Sequence, residues 1–255
     1  MKKRELLLIL MLLTGTTSFA QFGDFGVKLG LGMATLRDDL ATKSPTWGAN
    51  IGGYVNFNFY GSESAFGEVF YLQTGLNLIH RGSHFREVLE NGNNFSIRTG
   101  FYDAWYAQLP VLACIHFELP VREEGHVVGA FVGPAVSWGL FGKYGDRKIT
   151  PGIPTANANY DVNFNGAPGE NKVFNHINHL DVSAIAGLSY ERDNLNLSLY
   201  LDYGFIATSD GEDILRIIEN NQYGNQGENN VNVKIPNGYN LSVMLMLTYK
   251  LGSLF

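Results

Sequence analysis

The sequence predicts an all-β fold, namely an eight-stranded antiparallel up-and-down transmembrane β-barrel. Three observations lead to this fold class. Apolar and polar residues alternate along eight segments, long and short connections alternate between these segments, and aromatic residues lie near both ends of the apolar faces. A period of two is typical of a strand whose faces meet different surroundings, whereas an amphipathic helix places apolar residues three and four positions apart.

The alternation is clearest at the end of the chain, in the stretch YNLSVMLMLTYKLGSLF. Its odd-numbered residues, from Tyr239 to Phe255, are almost wholly apolar. Most of its polar side chains occupy even positions: Asn240, Ser242, Thr248 and Lys250. Seven further segments are predicted as strands, and the approximate bounds of all eight are 25–36, 46–59, 68–81, 104–118, 126–141, 176–191, 195–208 and 238–251.

The connections indicate how the barrel is oriented. The first two are nearly equal in length, and after them short turns alternate with long connections that include 142–175 and 209–237. Outer-membrane barrels have short periplasmic turns and longer extracellular loops. We therefore expect both termini at the periplasmic end and the long loops outside the cell.

The first twenty residues are expected to be a signal peptide, which leaves 21–255 as the barrel domain. Three basic residues follow the first methionine, an apolar run occupies 6–13, and small residues precede a cleavage point between Ala20 and Gln21. This order is typical of secretory signal peptides, although a buried core helix can look similar.

Composition excludes several classes of protein. Charged residues make up 16% of the chain, compared with about 25% in soluble domains. Cys114 is the only cysteine, so no intramolecular disulfide can form. The net charge of −6 argues against a nucleic-acid partner.

The apolar faces are expected to meet lipid, although a soluble barrel with an apolar interior shows the same alternation. Aromatic residues near both ends of these faces fit two membrane interfaces: Trp47, Phe57, Phe59, Trp105, Phe117, Tyr239 and Tyr249. The opposite faces carry amides, hydroxyls and charges: Asn50, Asn56, Asn58, Gln73, Asn77, Gln108, Glu118, Asp181, Glu191, Asp202 and Lys250. Large inward residues are expected to fill a lumen of this size, which disfavours an open pore: Tyr54, Tyr71, Tyr106, His116 and Tyr200.

Several segments also resemble a known family. They are FGVKLGLGMATL, YAQLPVLACIHFEL, GAFVGPAVSWGLFGKY, HLDVSAIAGLSYERDNLNLSLYLDYGF and NLSVMLMLTYKL. Together and in this order they resemble the small outer-membrane β-barrel proteins of Bacteroidota, the porin-family or PorT-like proteins. The resemblance implies an eight-stranded barrel in the outer membrane. It also implies that one branch takes part in protein secretion across that membrane, while most members have no assigned activity.

The best candidate for chemistry is the stretch HINHLD, where His179 and Asp181 are expected to share the inward face at the extracellular mouth. His80 and His84 are expected near the same rim. A metal site needs three or four converging ligands, and an enzyme with His and Asp at this mouth is conceivable. Polar residues that end a strand at a wet rim are the favoured interpretation. No nucleophile, phosphate-binding, dinucleotide-binding or zinc motif occurs, so no catalytic residue, cofactor or metal is predicted, and Cys114 is expected to fill lumen space.

The last connection is expected to contain a short amphipathic helix. Ser209 and Glu212 have the spacing of a capping box, and apolar residues follow at helical spacing: Ile214, Leu215, Ile217 and Ile218. The apolar face of this helix would cover the barrel itself or dock a protein partner at 209–237.

The end of the chain is expected to be a signal for the barrel-assembly machinery. Tyr249, Leu251 and Phe255 continue the lipid-facing register to the last residue, although a frayed tail is the alternative. The leading functional hypothesis is a non-enzymatic outer-membrane barrel that acts through its loops and turns, as a structural or secretion-related component. A narrow channel for small solutes is the second hypothesis, and an enzyme at the loop mouth is the third.

Overall fold

The computed structural model describes residues 21–37, 42–58, 70–91, 94–119, 125–149, 156–162, 178–208, 213–219, 227–233 and 238–253. The expected signal peptide, Phe59 and Phe255 lie outside these residues. The described residues lie almost entirely in strands, and none of them belongs to a helix long and apolar enough to cross a membrane.

Eleven strands occupy the described residues. They are β1 (Gln21–Arg37), β2 (Thr42–Asn58), β3 (Phe70–Asn91), β4 (Asn94–Glu118), β5 (His126–Ile149), β6 (Ala156–Val162), β7 (Leu180–Arg192), β8 (Leu195–Ala207), β9 (Asp213–Glu219), β10 (Gly227–Val233) and β11 (Tyr239–Ser253).

Eight of these strands form a closed antiparallel barrel. Following the hydrogen bonds, the order is β1, β2, β3, β4, β5, β7, β8 and β11, and the pairing of β11 with β1 closes the circle. Closure pairs the backbone groups of every barrel strand with neighbours on both sides, as a sheet in hydrocarbon requires. The predicted fold class is therefore confirmed.

The two ends of the barrel differ. At the turn end lie Gln21, Ser253 and the tight β7–β8 turn at Asp193 and Asn194, with Asp193 at a positive φ of 56°. Asp and Asn tolerate this left-handed conformation better than most residues, so the tight turn suits the sequence. At the opposite end, the loop end, lie the connections from β5 to β7 and from β8 to β11.

The predicted connection at 82–103 is wrong, because β3 and β4 continue through it. They pair as far as Asn91 with Asn94, and β5 likewise continues to Ile149 beside β4. With β6, which pairs along β5, these extensions form a loop-end sheet made of 82–91, 94–103, 142–149 and 156–162. A membrane-spanning strand needs about 9–11 residues, whereas β3, β4 and β5 have 22, 25 and 24.

The predicted helix that begins after Ser209 is also wrong. Residues 213–219 form β9, which pairs antiparallel with β10 from Asp213 opposite Val233 to Glu219 opposite Gly227. A short apolar run cannot be assigned to helix or strand by periodicity alone, and the three isoleucines of β9 favour a strand.

The alternation assigns the two faces of the barrel as expected. In β11 the odd-numbered side chains face outward, and Leu245 is 55% exposed, while Met244 and Met246 are buried in the lumen. The inward residues Tyr54, Tyr106 and Tyr200 are buried as predicted. The barrel therefore has an apolar outer face and a lumen filled with polar and aromatic side chains.

Candidate functional site in the lumen

Arg81 of β3 crosses the lumen. Odd-numbered residues of β3 point inward, and the guanidinium of Arg81 is only 1% exposed. Its Nη1 donates to Asp181 Oδ2 of β7 at 2.8 Å, and its Nη2 donates to Asp202 Oδ2 of β8. Because β8 is four strands away from β3 in either direction around the barrel, the contact with Asp202 spans the full width of the lumen.

Amide and phenol groups complete this layer. Gln108 Nε2 donates to Asp202 Oδ2 at 2.9 Å, and Tyr200 Oη donates to Gln108 Oε1 at 3.2 Å. Asn240 Nδ2 donates to Asp181 Oδ2 at 3.0 Å. The Tyr106 ring lies against the guanidinium, 5.4 Å from Cζ to the ring centroid. These seven residues, from β3, β4, β7, β8 and β11, are called the Arg81 layer below.

The charges of the Arg81 layer depend on one another. Two carboxylates face a single guanidinium in a region away from water, where an unpaired charge is costly. Planar guanidinium groups bind two carboxylates well because their donors point in fixed directions. Arg81 therefore acts as the common partner that allows Asp181 and Asp202 to share the interior.

Aromatic side chains extend the filling toward the loop end. Tyr102 and Tyr106 share a hydrogen bond between their hydroxyl groups at 2.5 Å. The rings of Phe85 and Tyr144 stack with centroids 5.8 Å apart, and both residues are buried on the inner side of the loop-end sheet. The lumen between the Arg81 layer and the loop end is therefore occupied by packed side chains.

Toward the turn end the lumen contains a cavity of about 160 Å³. Its lining includes Lys28, Tyr54, Tyr71, Cys114 and Glu191. Lys28 Nζ donates to Gln73 Oε1 at 2.9 Å and lies 5.6 Å from the centroid of the Tyr54 ring. At the mouth of the cavity, Lys250 Nζ pairs with Asp24 Oδ2 at 2.8 Å.

The expected mouth cluster does not assemble. Asp181 points into the lumen and belongs to the Arg81 layer, but His179 is exposed and its ring lies 4.5 Å from that of Trp138, on the outer surface. The expectation of a shared inward face is therefore wrong for His179, because the residue precedes the first paired position of β7.

His80 and His84 also face outward, since they occupy even positions of β3. His80 Nδ1 lies 3.0 Å from the carbonyl oxygen of Trp47, and its ring is 5.0 Å from that of Trp105. Across the described part of the chain, no three residues among His, Cys, Asp and Glu are grouped so that they could hold a metal ion. Cys114 is buried in the lumen and lines the turn-end cavity.

The sequence did not single out Arg81 or Lys28, which are the two cations buried deepest in the lumen. Arg81 lies at the last position of the predicted third strand, and Lys28 lies in a strand whose glycines weaken the alternation. The odd number of Arg81 could have indicated its position, because odd-numbered residues of this strand, such as Gln73 and Asn77, face the lumen.

Comparison with known proteins identifies the family. The family model described as outer membrane protein beta-barrel domain matches residues 19–210. This chain belongs to that family. The outer membrane is thus its location, and the apolar outer face of the barrel is its lipid-facing surface. No curated protein matches the chain significantly.

Two similar solved structures are those of Ail, the attachment invasion locus protein of Yersinia pestis, alone and in complex with the heparin analogue sucrose octasulfate. They are 9% and 10% identical to this chain, with TM-scores of 0.33 and 0.34. In both cases the match covers 89% of this chain and 98% of the other. Similarity at this level is not evidence of a shared function.

The membrane location accounts for the exposed aromatic residues. Trp47 and Tyr239 lie at the loop end of the outer face, and Phe117 and Tyr249 lie at its turn end, all of them exposed. Aromatic residues at both interfaces are typical of outer-membrane barrels. Tyr249 and Leu251 face outward as the expected assembly signal requires, but that signal itself stays a prediction.

Proposed function

We propose that this outer-membrane barrel is a closed, non-enzymatic component that acts through its loop end, in a structural or protein-secretion-related role. The observation that carries the proposal is the contact between Arg81 and Asp202, which crosses the lumen from one strand to the strand opposite. A barrel whose lumen is filled offers partners only its two ends. Asp181, the one acidic member of the expected mouth cluster, is engaged by Arg81 and Asn240, which supports the absence of catalysis there.

The size of the loop-end sheet supports a role for that end. Strands β7 and β8 have 13 residues each, and this length is enough to cross a bilayer. Strands β3, β4 and β5 are longer by nine to twelve residues, so their extra length projects beyond the membrane. Longer connections on the extracellular side are the rule for outer-membrane barrels, and we therefore place the loop-end sheet outside the cell.

The loop-end sheet also exposes apolar side chains in the part of the strands that extends beyond the membrane. Val88 is 56% exposed near the β3–β4 tip, and Ile149 is exposed at the end of β5. Among the described residues β6 pairs with β5 alone and forms the edge of the sheet, and an edge strand is a position to which a further strand can pair. The hairpin of β9 and β10 lies in the connection 209–237 between β8 and β11, at the same end of the barrel. We propose that it adds to the surface that a protein partner can contact there.

Site-specific photo-crosslinking in cells tests this proposal. A photoreactive amino acid at Val88 or at Ile149 should give discrete products with a second protein, which mass spectrometry can identify. The control is the same amino acid at Leu188, an apolar position on the lipid face that is more exposed than either loop-end position. Products that are absent from both loop-end positions, or that also arise from Leu188, would contradict the proposal.

A further inference from the structure

The turn-end cavity contains a buried ammonium group that lacks a carboxylate partner. Lys28 lies on the inward face of β1 and is 5% exposed. Its described contacts are Gln73 Oε1 at 2.9 Å and the face of the Tyr54 ring, and both are neutral groups. Since a buried charge is costly unless it is paired, the position of Lys28 calls for an anion.

The acidic residues of the lumen are engaged elsewhere. Asp181 and Asp202 are bound to Arg81, and Asp24 pairs with Lys250. Glu191 lines the same cavity and accepts a hydrogen bond from Asn196 Nδ2 at 3.2 Å. No carboxylate of the described residues forms an ion pair with Lys28. A ligand near Glu191 is better tolerated with one negative charge than with two, because like charges repel.

The walls of the cavity favour an organic anion. Apolar side chains from three strands line it beside the polar ones, namely Leu112 of β4, Phe131 of β5 and Met246 of β11. A cation next to apolar surface is the arrangement that ligand sites use to orient a small amphipathic molecule. The volume is about 160 Å³, and an apolar cavity of roughly 150 Å³ is known to hold benzene.

We propose that the turn-end cavity binds a small monocarboxylate, with its carboxylate at Lys28 and an apolar body the size of a benzene ring against Leu112, Phe131 and Met246. Asn194 of the β7–β8 turn and Asn196 near the start of β8 line the cavity, and the proposed site therefore lies at the turn end of the barrel. This site is separated from the loop end by the Arg81 layer, and it stands whether or not the proposed action at the loop end is correct.

Protection of Cys114 provides the test, because this residue lines the same cavity and is the only cysteine of the chain. The refolded barrel in detergent micelles is treated with the small neutral reagent methyl methanethiosulfonate. Benzoate at millimolar concentration should slow the modification several-fold, and benzyl alcohol, a neutral molecule of similar size, should protect much less. Inorganic phosphate at the same ionic strength should not protect.

Two lysine variants show whether Lys28 is responsible. Lys28→Met should abolish the protection by benzoate, whereas Lys250→Met, which removes a cation from the mouth of the same cavity, should retain it. Migration on unheated gels verifies that each variant is folded, and Lys28→Gln replaces Lys28→Met if the latter does not fold. Equal protection by benzoate and benzyl alcohol, protection that survives in both Lys28 variants, equal protection by phosphate, or a folded wild-type Cys114 that never reacts would each overturn the proposal.

Discussion

At the scale of single residues, the interior of this barrel depends on one arginine. Arg81 is the shared partner of Asp181 and Asp202, and all three side chains are almost completely buried. A buried ion pair adds little net stability compared with apolar packing, but removal of one partner leaves an uncompensated charge. The structure therefore predicts a large difference between a single replacement and a replacement of the whole group.

Arg81→Met should reduce the free energy of unfolding by about 3–5 kcal/mol, because two carboxylates then face each other without a cation. The measurement is urea unfolding of the barrel in lipid vesicles. The control variant replaces Arg81 with Met, Asp181 with Asn and Asp202 with Asn together, and it should recover much of the loss. Equal stability of the single variant and the wild type would show that Asp181 and Asp202 do not depend on Arg81 as their common partner.

Gly26 provides a second test at this scale. A Cβ atom at this position would lie 2.1 Å from the carbonyl oxygen of Tyr249 and 2.6 Å from the Tyr54 ring. Gly26→Ala should therefore destabilise the barrel by about 1–3 kcal/mol, the usual cost of overpacking. At Gly53 the nearest atom to an added Cβ is 3.6 Å away, so Gly53→Ala should be close to neutral. Similar unfolding curves for the two variants would contradict the close contact at Gly26.

At the scale of elements, each barrel strand separates lipid from lumen. Leu245 lies in the middle of the outer face of β11, opposite Leu31 and Leu199, and Tyr249 lies toward the turn end of the same face. The cost of a charge on this face depends on its depth in the bilayer. The two positions therefore report where the membrane lies along β11.

Leu245→Arg should cost about 2–4 kcal/mol and Tyr249→Arg about 0–1 kcal/mol beyond the loss of the aromatic ring, because arginine is worst at the bilayer midplane. Unfolding in vesicles gives both values, and unfolding of the same variants in detergent controls for changes in the strand itself. A larger cost for the charge at Tyr249 than at Leu245 would mean that the bilayer midplane lies nearer the turn end. This result would contradict the position of the membrane assigned here along β11.

The barrel strands were predictable from sequence because each has an apolar face. The alternation of Leu241, Val243, Leu245 and Leu247 with polar residues or methionines is such a case. The loop-end sheet was not predictable, since 86–94 carries charges and amides at odd and even positions alike. Its strands are defined by backbone pairing with neighbours distant in sequence, which leaves no periodic signal.

The lumen site was predictable only in part. The alternation of inward and outward positions along the strands correctly predicted that four residues face the lumen: Gln108, Asp181, Asp202 and Tyr106. These residues form most of the Arg81 layer. Periodicity gives the face of a residue but not its partner across the barrel, so the contact of Arg81 with Asp202 could not be derived. That contact depends on the order of strands around the circle, which only closure defines.

At the scale of the whole molecule, the side chains of the interior close the lumen of the barrel. The Arg81 layer fills the lumen, aromatic residues continue the filling toward the loop end, and the turn-end cavity stops below that layer. An eight-stranded barrel has an interior just wide enough for side chains to fill it. The structure therefore favours a plugged barrel over the narrow channel that the sequence also allowed.

Electrical recording from planar lipid bilayers tests the closed lumen most directly. The purified wild-type barrel, inserted in a bilayer in molar salt, should give no steady open-channel current above that of a protein-free bilayer, because the contacts of Arg81 with Asp181 and Asp202 obstruct the path of ions. Insertion is verified by the accessibility of the loop end to protease in vesicles made in parallel. Steady, discrete single-channel currents from the intact wild-type protein would contradict a lumen closed by the Arg81 layer.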